Sequence, residues 1–196
     1  MNPRLTAIVL VLAALAASCA RQDGGRAERE AVEGGVAIDT AVMAYLSLAR
    51  AMHHEANLKE DTDVPGAIAA LDRLTAEKRP HPGERVPEIE EVLADTFARV
   101  AELHVRQGEL AKASESVREG LTHAPAPSYF RGHLLEVAGI TEEARARELG
   151  DAGRVEESAA AKARALDLLY QAVLVQERVV RDTLAADASS LEGGIP

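Results

Sequence analysis

The sequence predicts an all-α protein, built as a short array of about three antiparallel helical hairpins with a long C-terminal capping helix. Ala, Leu, Glu and Arg, which favour helices, are abundant, while aromatic residues make up only 3% of the 196 residues. Apolar residues recur three and four positions apart, which is the spacing of one helix face. Tight turns near Thr62, Gly108 and Gly153 follow one another after 46 and then 45 residues, as in a repeated hairpin.

The first two hairpins are predicted between residues 36 and 121. Apolar residues at helical spacing place the first helix at about 36–58, and Asp63 is a suitable N-cap for the second. The Pro- and Gly-containing segment 79–83 ends that second helix. The third helix, about 87–107, and the fourth, about 110–121, enclose the turn at Gly108.

The third hairpin is predicted to contain the last two helices. The fifth helix starts near Ser128 and reaches about Gly150, and the sixth follows Gly153 and runs to about Ala186. The sixth is about twice the usual length, so we expect it to cap the last open face of the array. Its apolar residues are expected to face inward: Leu166, Leu169, Tyr170, Val173, Leu174 and Val180.

The first nineteen residues have the order of an export signal. Arg4 precedes an apolar run from Leu5 to Ala17, which is too short to span a bilayer. The run ends in Leu-Ala-Ala-Ser before Cys19, the single cysteine of the chain. This ending resembles the lipobox of bacterial lipoproteins, although Ala16 stands where Leu is commoner. An uncleaved signal anchor and an ordinary secretory signal are the alternatives.

The resemblance implies lipidation of Cys19 after cleavage of a signal peptide at residues 1–18. Ala20, rather than Asp, after the cysteine implies the outer membrane, facing the periplasm; the inner membrane and the cell surface are alternatives. Residues 19–35 are rich in Gly, Glu and Arg and are predicted to be a flexible tether. The helical repeat domain is predicted at 36–186, and a disordered tail at 187–196.

The middle hairpin, from Phe97 to Pro125, resembles a tetratricopeptide repeat. Besides those two residues it has the small, polar and apolar positions of that repeat in order: Ala101, His104, Gly108, Ala113, Val117, Gly120 and Leu121. The flanking hairpins match only in part, and their periods exceed the 34 residues of the family. The resemblance implies a tetratricopeptide-like α-solenoid, and helical pairs of another repeat class remain an alternative.

In tetratricopeptide arrays the first helix of each hairpin lines a partner-binding groove. Transferring the template to this chain places these residues on that surface: Asp95, Ala98, Glu102, Val105 and Arg106, with Arg131 one helix later. Arg106 and Arg131 are predicted to pair with an acidic motif or a C-terminal carboxylate of a partner. The alternative is that these are ordinary exposed side chains.

No residue pattern predicts catalysis, a metal or a cofactor. His53-His54-Glu55 lacks the second histidine of a zinc-protease helix, and His104 and His133 are interpreted as packed residues. Adjacent acids such as Glu90-Glu91 diverge around a helix and are interpreted as solvated faces. We therefore predict that the protein is not an enzyme.

Charge and organisation together favour an anchored interaction module. The net charge of -10, without a basic stripe, disfavours nucleic acid and argues that any membrane link is the lipid on Cys19. The expected function is a scaffold or assembly factor that binds an envelope protein or peptide segment. A self-assembling module that forms homo-oligomers through the last helix, or an envelope hydrolase or metalloenzyme, are the alternatives.

Overall fold

The computed structural model describes residues 38–192, and every regular element in this range is an α-helix. The prediction of an all-α protein is therefore confirmed for this part of the chain. The predicted signal peptide, Cys19 and the tether lie outside the described residues. The six helices are α1 (Thr40–Lys59), α2 (Val64–Thr75), α3 (Pro87–Arg106), α4 (Leu110–His123), α5 (Tyr129–Asp151) and α6 (Val155–Glu192).

Local sequence accounts for where the helices begin. The Asp63 carboxylate accepts a hydrogen bond from the Gly66 amide (3.0 Å), and the Ser128 hydroxyl accepts one from the Arg131 amide (3.2 Å). Both residues were expected near these helix starts, because a short polar side chain satisfies an amide that has no partner within the helix. Pro87 occupies the first position of α3, where its missing N–H costs nothing.

Two glycine turns connect helices that pack against each other. Gly108 joins α3 to α4 and Gly153 joins α5 to α6, and each has a φ of 72°. This left-handed conformation is easily adopted only by glycine. The two turns reverse the chain within three residues, so the helices on either side lie antiparallel.

Large apolar side chains fill the space among α1 to α5. Ile89 and Leu93 of α3 form a cluster with Tyr45 of α1 and Leu74 of α2. Further along α3, Val100 and Leu103 pack with residues of α1 and α2, and a stripe of alanines packs against α4 and α5. Helix α3 is thus surrounded by four other helices and lies at the centre of the fold.

Small residues set how closely the helices approach. A Cβ atom on Gly120 of α4 would lie 2.5 Å from a methyl carbon of Leu134, and one on Gly139 of α5 would lie 2.7 Å from Leu169 Cγ. Both distances are shorter than real Cβ contacts, so a side chain at either position would displace the facing leucine. Gly139 lies within an uninterrupted helix, at the contact between α5 and α6.

Helix α6 departs from the prediction in two ways. It faces α5 with Ser158 and with the alanines at 161, 165 and 172, whereas most of its large apolar side chains are exposed. It also continues to Glu192, past the predicted end at Ala186, so the predicted tail at 187–196 is wrong for its first six residues. Its periodicity correctly indicated an apolar face, but of the residues expected to face inward only Leu169 packs against α5, over Gly139.

Candidate partner-binding groove

The candidate groove is the surface along the first helices of the three pairs, α1, α3 and α5. Asp95, Glu102 and Val105 are half-buried on α3, and Arg106 is exposed at its end. Ala98 has no exposed surface, because it belongs to the alanine stripe that packs against α4 and α5. The prediction that Ala98 lines the groove is therefore wrong, and the four others on α3 lie where a partner could reach them.

A row of polar side chains crosses this surface and links the three helices. We call it the polar row. Its members are His53 of α1, Glu60 at the C-cap of α1, three residues of α3 (Asp95, Arg99 and Glu102) and His133 of α5. Arg99 pairs with Glu60 on one side and donates a hydrogen bond to Glu102 (Nη1–Oε2, 2.8 Å) on the other. The other oxygen of Glu102 lies 3.1 Å from Nε2 of His133. The charges thus alternate from α1 to α5.

Hydrogen bonding keeps Glu102 ionised and favours a charged His133. Burial alone would raise the pKa of Glu102, but the hydrogen bonds from His133 and Arg99 outweigh it and lower that pKa. The hydrogen bond to Glu102 in turn raises the pKa of His133 above its ordinary value, against the opposing effect of burial. The contact is therefore an ion pair over a wider pH range than a free imidazole would allow.

The pKa of His53, at the other end of the polar row, is shifted in the opposite direction to that of His133. Its Nε2 lies 2.9 Å from the Thr96 hydroxyl, which already donates its hydrogen to the Val92 carbonyl (2.7 Å). Nε2 must therefore be the donor in this contact. Burial lowers the pKa of His53, with Asp95, 3.9 Å away, acting against it. The row thus holds one histidine whose pKa is lowered and one whose pKa is raised.

The two arginines predicted to bind a partner carboxylate have contacts within the chain. Arg106 donates to the backbone carbonyl of Glu60 (2.9 Å) and lies 3.4 Å from a carboxylate oxygen of Asp61. Arg131 donates to the backbone carbonyl of Ala124 (3.0 Å). Both guanidinium groups therefore satisfy carbonyls at the C-terminal ends of neighbouring helices.

A second polar cluster surrounds Glu90, which the sequence analysis interpreted as solvated. Glu90 is only 8% exposed, and its carboxylate contacts Arg79 (3.2 Å), Arg85 (2.9 Å) and His123 (2.8 Å). The His123 ring also stacks on Phe97. The loop between α2 and α3 folds back over the start of α3 and brings the arginines to Glu90. The cluster joins that loop to α3 and α4, and all of its members are paired within it.

Sequence reasoning missed His53, Arg99 and His133 as members of the polar row. One signal was available: Asp95, Arg99 and Glu102 are four and then three residues apart, which places them on one face of α3. The histidines carried no such signal, because each lies on a different helix and meets α3 only in the folded chain. His104 was expected to be packed; it is buried, with its Nδ1 2.8 Å from Glu109.

Several features that would define other kinds of site are not found in residues 38–192. No group of three or more His, Cys, Asp or Glu side chains is placed to hold a metal ion in that range. None of the helices described there is long and apolar enough to cross a membrane. Comparisons of the chain with protein-family models, curated proteins and solved structures find no match.

Proposed function

We propose that this protein is a lipid-anchored, periplasm-facing scaffold of the bacterial outer membrane, which binds an envelope protein or peptide segment along α1, α3 and α5. The observation that carries the proposal is the polar row. Four side chains of alternating charge, Glu60, Arg99, Glu102 and His133, lie part-exposed along α1, α3 and α5 and contact one another in sequence. His53 and Asp95 lie beside them. Such a surface is ordered before binding, which lowers the entropy cost of capturing a partner.

The packing of the helix pairs is consistent with a tetratricopeptide-like array. Each first helix contacts the next first helix along the chain: α1 lies against α3, and α3 against α5. The alanines of α3 and Gly120 of α4 allow the close approach that such repeats require. An array of this kind presents one continuous surface from its first helices, and here that surface carries the polar row.

The chemistry of the surface indicates the kind of partner. Both charge signs are present within a few residues, so a partner segment with acidic and basic side chains matches better than one of a single charge. Tyr129, 61% exposed and next to His133 on α5, adds an aromatic contact at the edge. Tyrosine is enriched in interfaces because it combines a large apolar area with a hydrogen-bonding group.

The proposed anchor rests on the sequence around Cys19. Several acyl chains on one cysteine hold a protein stably at a membrane, whereas one chain gives only reversible binding. The tether at 19–35 would then separate the helical body from the lipid surface. Metabolic labelling with a clickable fatty acid tests this directly: we expect label on the wild type and none on Cys19→Ala. An unlabelled wild-type chain would exclude the anchor.

The groove is tested by cross-linked affinity capture from membranes of cells that produce the full-length chain. Asp95→Asn with Glu102→Gln removes two charges from the groove while keeping side-chain shape. Glu115→Gln with Glu119→Gln makes the same charge change on α4, outside the groove, and is the matched control. We expect the first pair to reduce partner recovery at least about tenfold and the control pair to leave it unchanged.

Thermal unfolding of both double variants separates binding from folding. If the groove variant unfolds close to the wild-type temperature and still captures the same partner in full, the polar row is not the binding surface. If the control pair alone loses the partner, the interaction lies on α4. Recovery of the chain with no partner at all would contradict the scaffold function.

A further inference from the structure

Helix α6 carries an apolar face that nothing in residues 38–192 covers. Its members are the exposed side chains of Leu166 (70%), Tyr170 (62%), Val173 (58%), Leu174 (45%), Val180 (58%) and Leu184 (64%). Apart from Leu174, these residues follow one another after four, three, seven and four positions. This is the heptad spacing of a coiled-coil seam. Glu177 occupies the one seam position that is not apolar.

The C-terminal part of α6 also extends beyond its contact with α5, the one helix in residues 38–192 that it touches. Gln176 lies beside Gly132, in the first turn of α5, and every side chain from 180 to 189 is exposed. The helix nevertheless continues to Glu192. An isolated segment of about a dozen residues is only marginally helical in water, so this overhang gains stability from packing against another helix.

We propose that two copies of this chain pair antiparallel through the outer faces of their α6 helices, with Leu166 of one copy opposite the partner's Leu184. In this register Tyr170 meets the partner's Val180, and Val173 meets the partner's Glu177. Each overhang then lies along the part of the partner's α6 that is already held by α5. The contact therefore covers the apolar face and the exposed C-terminal end of α6. The two-fold axis makes this true of both copies.

The charges along the seam favour this direction and a second copy as the occupant. Asp167 falls opposite the partner's Arg181, and the two-fold axis repeats this complementary pair. A parallel pair in register would instead place Glu177 against the partner's Glu177 inside the seam, where like charges repel. The antiparallel register places that carboxylate beside Val173, near Arg181 of its own chain (2.8 Å).

The size of the face is sufficient for a reversible dimer. From Ala159 to Ser189 the helix is about 45 Å long at 1.5 Å per residue, and it is about 10 Å wide. Pairing along this length covers about 450 Å² on each copy and about 900 Å² in total, at the low end of specific interfaces. We therefore expect a dimer that dissociates on dilution.

The register is tested in the full-length chain, in its own membranes, with a short bismaleimide cross-linker. The wild type, with only Cys19, is the control. Leu174 lies near the two-fold axis, so Leu174→Cys is expected to give a cross-linked dimer by itself. Leu166→Cys and Leu184→Cys are expected to cross-link to each other when the two variants are co-produced, and neither is expected to cross-link to itself. Self-cross-linking of Leu184→Cys would overturn the antiparallel arrangement.

Substitutions in the overhang test whether the seam holds the dimer. In the Leu174→Cys background, Val180→Glu places a second carboxylate in the seam, and we expect the cross-linked fraction to fall at least about tenfold. Ser189→Glu adds the same charge off the seam and is expected to have no effect. Because both sites are exposed, neither change should alter thermal unfolding of the diluted protein. Equal cross-linking of both variants would contradict the proposal, as would a cross-link from the introduced thiol to a different protein.

A charge exchange tests the predicted pairing of Asp167. Asp167→Arg or Arg181→Asp alone brings like charges together across the seam and should reduce cross-linking through Leu174→Cys, whereas the double variant restores opposite charges and should recover it. Failure of the double variant to recover, with the fold intact, would exclude this register. Cys19 is the same in every variant compared and the polar row is unchanged, so the outcome is independent of partner binding along α1, α3 and α5.

Discussion

Helices α3 and α6 both carry an apolar face, but only α3 buries large apolar side chains. Helix α3 directs Ile89, Leu93 and Leu103 into the fold, where four other helices surround it. Helix α6 contacts only α5 among the described elements, and the residues that it fully buries there are alanines and Ser158. The comparison shows that an apolar face indicates which side of a helix requires a partner, whereas the neighbouring helices decide whether the same chain supplies it.

The largest expected difference concerns leucine truncation in the two helices. Leu103 has no exposed surface, so Leu103→Ala should lower the free energy of unfolding by about 2–5 kcal/mol through lost burial and a cavity. Leu166 is 70% exposed, so Leu166→Ala should change it by less than about 0.5 kcal/mol. Urea unfolding followed by circular dichroism, at low protein concentration, measures both. If Leu166→Ala greatly lowered the free energy of unfolding at that concentration, Leu166 would be covered within the monomer.

The contact between α5 and α6 is tested by two glycines of α5. A Cβ at Gly139 would lie 2.8 Å from a methyl carbon of Leu169 and 3.3 Å from the Ala165 carbonyl oxygen. Gly139→Ala should therefore destabilise the protein by about 1–3 kcal/mol, despite the better helix propensity of alanine. A Cβ at Gly150 meets only Ser158 Oγ, at an ordinary 3.4 Å, so Gly150→Ala should be neutral or stabilising by up to about 1 kcal/mol.

Differential scanning calorimetry of the two glycine variants gives the sign of each change. If Gly139→Ala unfolded at the same temperature as Gly150→Ala, α5 and α6 would be less closely packed at Gly139 than the structure indicates.

A smaller, pH-dependent effect is expected at the link between α3 and α5. The pKa of His133 is raised in the folded protein by its hydrogen bond to Glu102. Protonated His133 therefore stabilises the folded protein. This contribution is fully present below the unfolded pKa of about 6.5 and is lost as the pH rises through the folded pKa. His133→Gln should cost more stability at pH 5.5 than at pH 9, as measured by urea midpoints across that range. His54→Gln, at an exposed site on α1, is the control. If His133→Gln lowered the stability by the same amount at every pH, the imidazole would not be charged in this contact.

The smallest effect is expected for an exposed ion pair of α6. Arg178 and Asp182 lie 3.6 Å apart, and both side chains are about two-thirds exposed (64% and 68%). Arg178→Ala should change the free energy of unfolding by less than about 0.5 kcal/mol, because solvent screens such pairs. A larger loss in urea titrations would mean that the overhang is more constrained than its exposure indicates.

Features set by a few neighbouring residues could be predicted from the sequence. Gly108 and Gly153 mark turns that need a left-handed backbone, and Asp63 and Ser128 provide caps for the helices that follow. The candidate groove positions on α3 came from the resemblance to a tetratricopeptide repeat and stay a prediction. Ala98 is buried, because the repeat template does not specify how deeply α4 and α5 cover that position in this chain.

Local sequence alone determined the all-helical class, the positions of the turns and the presence of an apolar face on α6, since each depends on backbone preferences or on side-chain spacing within one helix. Only the tertiary structure decided that Glu90 is buried among two arginines and a histidine, and that His53 and His133 meet α3. It also decided that α6 turns its alanines toward α5. These outcomes depend on contacts between residues far apart in the chain and on the space between packed helices, and neither is encoded in a local pattern.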